Sequence, residues 1–267
     1  MQTKSIKIQC PAKINLSLKV VNKREDGFHN IESIMQAINL FDYLTITAEE
    51  SVDFGIILQG NSNEIPYNEK NLVYKAAKLF CETCKITDKK IVVYLDKNIP
   101  VSAGLAGGST DAAGTFYGLN KLFGNILPES ELHKLCANLG SDLNFCLVGG
   151  CMLTRGRGEI LEPSEFKNTK VNLIKPTDLG ISAKEAYTKF SQKIALSSTG
   201  RDNYKNDLEW AVIEDYKELL FIKENYPDAM MTGSGSTYFS LKNEFFEQTG
   251  YWVKNGLEAI NYGVKEV

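Results

Sequence analysis

The stretch Ile99-Pro-Val-Ser-Ala-Gly-Leu-Ala-Gly-Gly-Ser-Thr-Asp111 constrains this chain more than any other. An alternating apolar run, Ile91 to Leu95, leads into it. Apolar residues at helical spacing, Ala112, Phe116, Leu119 and Phe123, follow it. The order is therefore strand, glycine-rich loop, helix start. Gly104, Gly107 and Gly108 let the backbone pass close to a ligand, with no Cβ in the way. Ser109, Thr110 and Asp111 are all competent N-caps. The free N–H groups and positive dipole end of the new helix suit an anion, a phosphate above all. A plain glycine turn with a capped helix would look the same. Two phosphate-binding architectures are excluded. There is no Gly-Lys-Ser/Thr ending of a P-loop, and the glycine spacing is wrong for G-x-G-x-x-G.

At 267 residues the chain has room for one large domain or two modest ones. Its 43% apolar and 24% charged residues are ordinary for a globular protein with a sizeable core. A net charge of −3, with the two signs interspersed, argues against nucleic-acid or membrane-surface partners. No stretch reaches the roughly 20 apolar residues of a membrane span. The beginning, Met1-Gln-Thr-Lys-Ser-Ile-Lys7, has no apolar targeting core. Cysteines stand at 10, 81, 84, 136, 146 and 151. Cys81-Glu-Thr-Cys84 has no second pair or nearby histidine, so zinc is disfavoured. Small core cysteines in a reducing cytoplasm are the expectation.

Alternation predicts two strands meeting near Pro11, the first through Ile6 and Ile8, the second from Ile14 to Val20. Asp26-Gly27 marks a turn. Ile31–Leu40, Tyr43–Ala48 and Phe54–Leu58 are further strand candidates. Leu72, Ala76, Leu79 and Phe80 form one helix face. Leu132, Leu135, Cys136 and Leu139 form another, with Glu129 and Glu131 at its N-terminal end and Gly140 as its left-handed terminator. Cys151–Thr154 and Val171–Lys175 read as strands. Ser182-Ala-Lys-Glu185 is a capping box, and helical pattern runs from Leu208 to Tyr226. Met230–Leu241 reads as strand, glycine turn, strand. Phe245 to Val253 reads as a last helix, before an edge strand. Intermixed strands and helices favour an α+β fold, divided near residue 157 into domains 1–157 and 158–267.

Two further residues could carry chemistry. Asp142 follows a helix end, where a carboxylate could abstract a hydroxyl proton or simply face solvent. Lys13 opens an alternating run and could offset developing negative charge or merely lie on the surface.

The combination resembles the GHMP kinases. Ile99–Asp111 is similar to their second motif, and Met231-Thr-Gly-Ser-Gly-Ser-Thr237 to their third. Pro11-Ala-Lys-Ile-Asn-Leu16, Asp26-Gly-Phe-His29, Gly140-Ser-Asp-Leu-Asn-Phe145, Gly149-Gly150 and Gly156-Arg-Gly-Glu159 narrow the likeness to members acting on a cytidine diphosphate-linked methylerythritol. The resemblance implies an S5-like N-terminal domain, a ferredoxin-like C-terminal domain, and a cleft shared by ATP and substrate. Asp142 matches the catalytic aspartate and Lys13 the lysine beside it. Pro100, Val101, Ser102, Ala103, Gly104, Leu105, Ala106, Gly107, Gly108, Ser109 and Thr110 match the ATP phosphate loop, with Ser109 and Thr110 near Mg²⁺. Its full ligand set stays unassigned. Asn71 and Lys97 match nucleotide contacts, and Asn15 a residue near the substrate. Phe28 and His29 match the pair that holds the cytosine, with Tyr187 as a second stacking ring. His133 reads as structural. The expectation is a cytoplasmic enzyme, monomeric or weakly dimeric, without nucleic-acid or membrane partners.

Departures matter as well. Ala106 and Thr110 replace a usual glycine and serine, and the methyl at 106 is acceptable only at negative φ. Asn144 replaces a usual proline. Competing expectations are a homoserine or mevalonate-type alcohol kinase, a non-catalytic nucleotide sensor, and an RNA-binding protein of S5-like fold.

Overall fold

The computed structural model describes residues 4–165 and 167–267; Met1–Thr3, counted above in the first domain, lie outside the described residues. The chain opens with strands β1 (Lys4–Lys23), β2 (His29–Glu50) and β3 (Gly55–Gly60). Helix α1 (Leu72–Thr83), strand β4 (Lys89–Asp96) and helices α2 (Gly107–Leu122), α3 (Glu129–Leu139) and α4 (Leu143–Val148) follow. Then come β5 (Cys151–Arg155), β6 (Ile160–Pro163), β7 (Lys170–Pro176) and α5 (Ala183–Leu196). The last elements are α6 (Asp207–Val212), α7 (Lys217–Asn225), β8 (Met230–Met231), β9 (Tyr238–Ser240), β10 (Tyr251–Glu258) and β11 (Lys265–Glu266).

Two sheets result. The first runs β11-β1-β2-β4-β3, with β5 on the free part of β2 and β6 on β5. The second runs β10-β7-β9-β8. Strand pairing thus carries the first sheet to Pro163, a few residues past the expected division, and returns Lys265–Glu266 to it.

Period-two alternation along β1 decides where the cores sit. Ile6, Ile8 and Cys10 enter the core under α1 and α2. Ala12 and Ile14 enter a middle cluster with Val171, Leu173 and Phe239. Leu18 and Val20 enter a third with Phe190, Trp210 and Tyr238. Each such aliphatic side chain contributes about 1.5–3 kcal/mol on full burial. Helix α2 lies close on β1. A Cβ at Gly118 would stand 2.6 Å from Ile46 Cδ1 and 2.9 Å from Ile8 Cγ1, which explains a glycine in mid-helix.

The structure corrects several expectations. The two strands meeting near Pro11 are one strand, because β2 absorbs the register shift between Pro11 and Ala12. Pattern from 208 to 226 is broken by a 3-10 turn at Ile213–Asp215 into α6 and α7. The last helix is instead β10, since Trp252 and Val253 pair with Lys175 and Ile174 of β7. Gly140 is extended (φ −177°), not left-handed. Helix α2 starts at Gly107, so Ser109, Thr110 and Asp111 lie inside its first turn, and Ala106 occupies the cap without a side-chain bond. Ala106 has φ +58°, contrary to the negative value expected of a methyl-bearing residue there. Five of the cysteines are buried, Cys84 is half-buried and all six are free thiols. Among the described residues no helix is long and apolar enough to cross a membrane.

Candidate active site

One cleft of about 1250 Å³ separates the phosphate loop and β1 from α5 and the turn between β8 and β9. That exceeds the roughly 300–1,000 Å³ of a usual single-ligand pocket, so it has room for two ligands. Among the described residues Lys13, Lys23, Lys70, Lys97, Arg157 and Lys184 line it against only Asp111 and Asp142. A chain of net charge −3 thus concentrates positive charge here, as polyphosphate ligands require.

The loop enters the cleft through left-handed turns at Ser102 (φ +51°), Gly104 (φ +71°) and Ala106. Ala103 and Leu105 are buried and anchor it in the middle core. A Cβ on Gly104 would overlap the Thr232 carbonyl, so the loop and the second glycine turn touch backbone to backbone. Pro100, Val101, Gly107, Gly108 and Ser109 line the cleft, and Ser109 does so at the N-terminal turn of α2, whose N–H groups favour an anion. Thr110, expected beside Mg²⁺, is fully buried and does not line the cleft, because the first turn of α2 points its side chain into the protein.

Lys13 is 3% exposed. Its ammonium donates to Asn15 Oδ1 at 2.7 Å and to the Gly104 carbonyl at 2.9 Å. It faces Asp142 at 3.8 Å. Asp142 stands at the start of α4 without a side-chain capping bond, 30% exposed, so its carboxylate is open to the cleft. Asn15 lies beside this pair, and its amide donates to Ser33 Oγ at 2.8 Å. Asn144, the proline replacement, is tied by His133 at 3.1 Å and by the Glu159 carbonyl at 3.2 Å. Those bonds hold the α4 start where the ring is missing. They also give His133 the structural task expected of it.

Asn71 caps α1 by accepting the Val73 N–H at 2.9 Å while lining the cleft. Lys97 is less free than a nucleotide contact would suggest. Its ammonium is clamped between Asp42 and Asp111, the latter at 3.2 Å, and all three side chains are buried. Burial opposes its charge, but Asp111 and Asp42 hold it above the ordinary lysine pKa. Burial also drives Asp111 well above the carboxylate range, with Lys97 opposing and Asp42 adding to the shift.

At the other end, His29 and Tyr187 stack, with centroids 5.0 Å apart and planes 14° from parallel. Phe28 is 51% exposed under the Arg157 guanidinium, 5.1 Å from its ring centre. Ser191 Oγ donates to the Tyr187 carbonyl at 3.0 Å, so it accepts from His29 Nε2 at 3.1 Å. This fixes the tautomer and leaves Nδ1 a lone pair. Burial, helped by Lys23, lowers the His29 pKa and keeps the ring neutral near pH 7.

Sequence reasoning missed Asp42, Asp111, Thr232 and Asn206. Asp42 did leave a signal. It occupies an inward position between Leu40 and Leu44 in an alternating strand, where a lone carboxylate must have a partner.

Comparison with known proteins narrows the reading. Residues 71–150 match the GHMP kinases N terminal domain. Over 263 residues the chain is 38% identical to the 4-diphosphocytidyl-2-C-methyl-D-erythritol kinase of Clostridium acetobutylicum, covering 91% of each. The chain belongs to the 4-diphosphocytidyl-2-C-methyl-D-erythritol kinase family of GHMP kinases. A crystal structure of 4-(cytidine 5'-diphospho)-2C-methyl-D-erythritol kinase superposes with a TM-score of 0.72 at 26% identity, covering 95% of this chain and 99% of that one. A homoserine kinase from Cytophaga hutchinsonii reaches the same TM-score at 19% identity, covering 99% of this chain and 98% of that one. The fold is therefore common to kinases of different acceptors, and full-length identity selects the branch.

Proposed function

We propose that this kinase transfers the γ-phosphoryl group of ATP to the 2-hydroxyl of 4-diphosphocytidyl-2-C-methyl-D-erythritol, giving ADP and the 2-phosphate. The observation that carries the reading is one cleft with three stations. A phosphate loop lies at one end, His29, Phe28 and Tyr187 at the other, and Lys13 facing Asp142 between them. Phosphoryl transfer needs positioning and charge stabilisation more than covalent chemistry, and this arrangement supports both.

In this reading the cytosine stacks on the Phe28 and Tyr187 side of the cleft. His29 Nδ1 accepts from its exocyclic amino group. Asn15 orients the polyol. Asp142 takes the hydroxyl proton as the oxygen attacks, and Lys13 offsets the growing negative charge. Pro100 to Thr110 seat the triphosphate, with Asn71 and the remaining ammonium proton of Lys97 on the nucleotide side. Mg²⁺, when bound with ATP, neutralises phosphate charge. Ser109 Oγ, which lines the cleft at the first turn of α2, would be a protein oxygen for it. The phosphate loop with β1 on one side, and α5 with the β8–β9 turn on the other, form opposite jaws. The enzyme works in the cytoplasm as a monomer or weak dimer.

The test is ADP release with the cytidylated methylerythritol against homoserine and mevalonate. Turnover confined to the first is expected. Turnover with either other alcohol and none with the first would overturn the acceptor assignment. Asp142→Ala should cut turnover by about 10² or more, within the range of general-base catalysis, while leaving substrate binding intact. Near wild-type turnover in it would remove Asp142 from the base role.

A further inference from the structure

Lys13 is a long side chain whose contact with Asp142, at 3.8 Å, is the loosest it makes. Its direction is set instead by its two closer acceptors, Asn15 Oδ1 and the Gly104 carbonyl. The Thr232 hydroxyl lies 3.3 Å from each of those same two oxygens. It also accepts the backbone N–H of Asn15 at 2.9 Å. One fully buried hydroxyl therefore braces both groups that aim the ammonium.

Thr232 is held in its turn. Asn206, 1% exposed, donates its two amide protons to the carbonyls on either side of it, Met231 at 2.8 Å and Gly233 at 2.9 Å. The Asn206 oxygen accepts the Leu208 N–H at 2.9 Å, which leaves the side chain no other orientation. Its backbone is bridged to Leu18 of β1, the strand that carries Lys13. Gly233 then lies over the ammonium, where a Cβ would stand 3.1 Å from Lys13 Nζ. Neither Asn206 nor Thr232 lines the cleft.

We propose that Asn206 and Thr232 are positioning residues of the phosphoryl transfer, acting through Asn15 and Gly104 to aim Lys13 at Asp142. The proposal rests on the reading above that Lys13 and Asp142 are the reacting pair. A misplacement of about 1 Å at a reacting group can cost about 10²-fold in rate. Since neither residue meets a ligand, the loss should fall on kcat and not on KM.

Thr232→Val keeps the shape and removes the hydroxyl, and Thr232→Ser keeps the hydroxyl. We expect Thr232→Val to lower kcat by about 30-fold or more, inside the limit just cited, with KM for ATP and acceptor within about three-fold. Thr232→Ser should retain most of the turnover. Asn206→Ala should lower kcat similarly, and the double variant should be no worse than the poorer single, because both act on one chain of bonds. A kcat for Thr232→Val within three-fold of wild type, or a loss carried by KM, would overturn the proposal. Should Asn206→Ala fail to fold, the Val and Ser variants decide alone. Wild-type turnover tests the acceptor assignment separately. A readout independent of turnover is the Lys13 ammonium resonance in ¹⁵N-lysine-labelled protein, assigned by its absence in Lys13→Met. It should persist in Thr232→Ser and shift or broaden in Thr232→Val, and an unchanged resonance in Thr232→Val would refute the relay.

Discussion

Lys97→Met is the sharpest test of the cluster beneath the phosphate loop. The ammonium, 6% exposed, sits between Asp42 at 0% and Asp111 at 2%. Removing one partner from a buried ionic group costs about 3–5 kcal/mol. The loss is uneven. Asp42 keeps the backbone N–H groups of Asn98 and Ile99, at 2.6 and 2.8 Å. Asp111 keeps no partner for Oδ1 among the described residues. A loss of about 4 kcal/mol, at roughly 2–4 °C per kcal/mol for a chain of this size, lowers the melting temperature by about 8–16 °C. The pH dependence has a definite sign. Burial raises the Asp111 pKa in the folded state, so above the ordinary aspartate value folding takes up a proton and stability falls as pH rises. Lys97 restrains that shift, so its loss raises the Asp111 pKa further and extends the fall to higher pH. The gap between Lys97→Met and wild type should not narrow from pH 5 to pH 8, and Asp111→Asn added to Lys97→Met should recover part of it. Thermal melts at the two pH values measure this. A melting temperature within about 3 °C of wild type at pH 8, with only KM for ATP raised, would refute the electrostatic account.

Gly104→Ala adds a Cβ that overlaps the Thr232 carbonyl at φ +71°, so turnover should fall by at least 10²-fold if the reacting groups move by about 1 Å; a variant above a tenth of wild-type kcat contradicts that contact. Ala106→Gly removes left-handed strain of about 1–2 kcal/mol against about 0.4–1 kcal/mol of added unfolded-chain entropy. Its melting temperature should hold or rise slightly, and a drop of more than 3 °C in calorimetry contradicts the strain. KM for the cytidylated substrate should stay flat around pH 7 and rise as His29 protonates, below the ordinary imidazole value, because burial and Lys23 lower its pKa. Unchanged affinity at pH 5, by titration calorimetry, would remove His29 Nδ1 as acceptor.

The local pattern made the phosphate loop, the Ser182 cap and the strand–turn–strand at 230–241 legible. Each rests on glycines, caps or alternation that act within a few residues. Strand β10 reads as a helix from sequence because Phe245, Thr249, Trp252 and Val253 mimic a helical face. Pairing with β7, from Tyr251 with Pro176 to Glu258 with Lys170, is far off in the chain and invisible to spacing, and it decides otherwise. The helix start was misjudged for a related reason. Ser109 to Asp111 are good caps by residue type, but the turn at Ala106 is set by backbone contacts with Thr232 and Gly235 around Gly104. Lys97 was legible as charged and not as clamped, since its partners Asp42 and Asp111 come from β2 and α2. The Asn206–Thr232 brace joins four distant segments, those of Asn15, Gly104, Asn206 and Thr232, and no spacing rule connects them.

Strand β1 passes through all three hydrophobic clusters without a break in the chain. It therefore acts as a common axle for the two jaws. Neither jaw can melt alone, because releasing Leu18 and Val20 from one core loosens the strand that carries Ile6 and Ile8 in the other. The last strand, bonded to Ile8 and Gln9, closes the same axle from its outer edge. Unfolding should be one event for the whole chain, and the cleft should adjust to its ligands by loop motion around a fixed shaft, not by a swing of one half against the other.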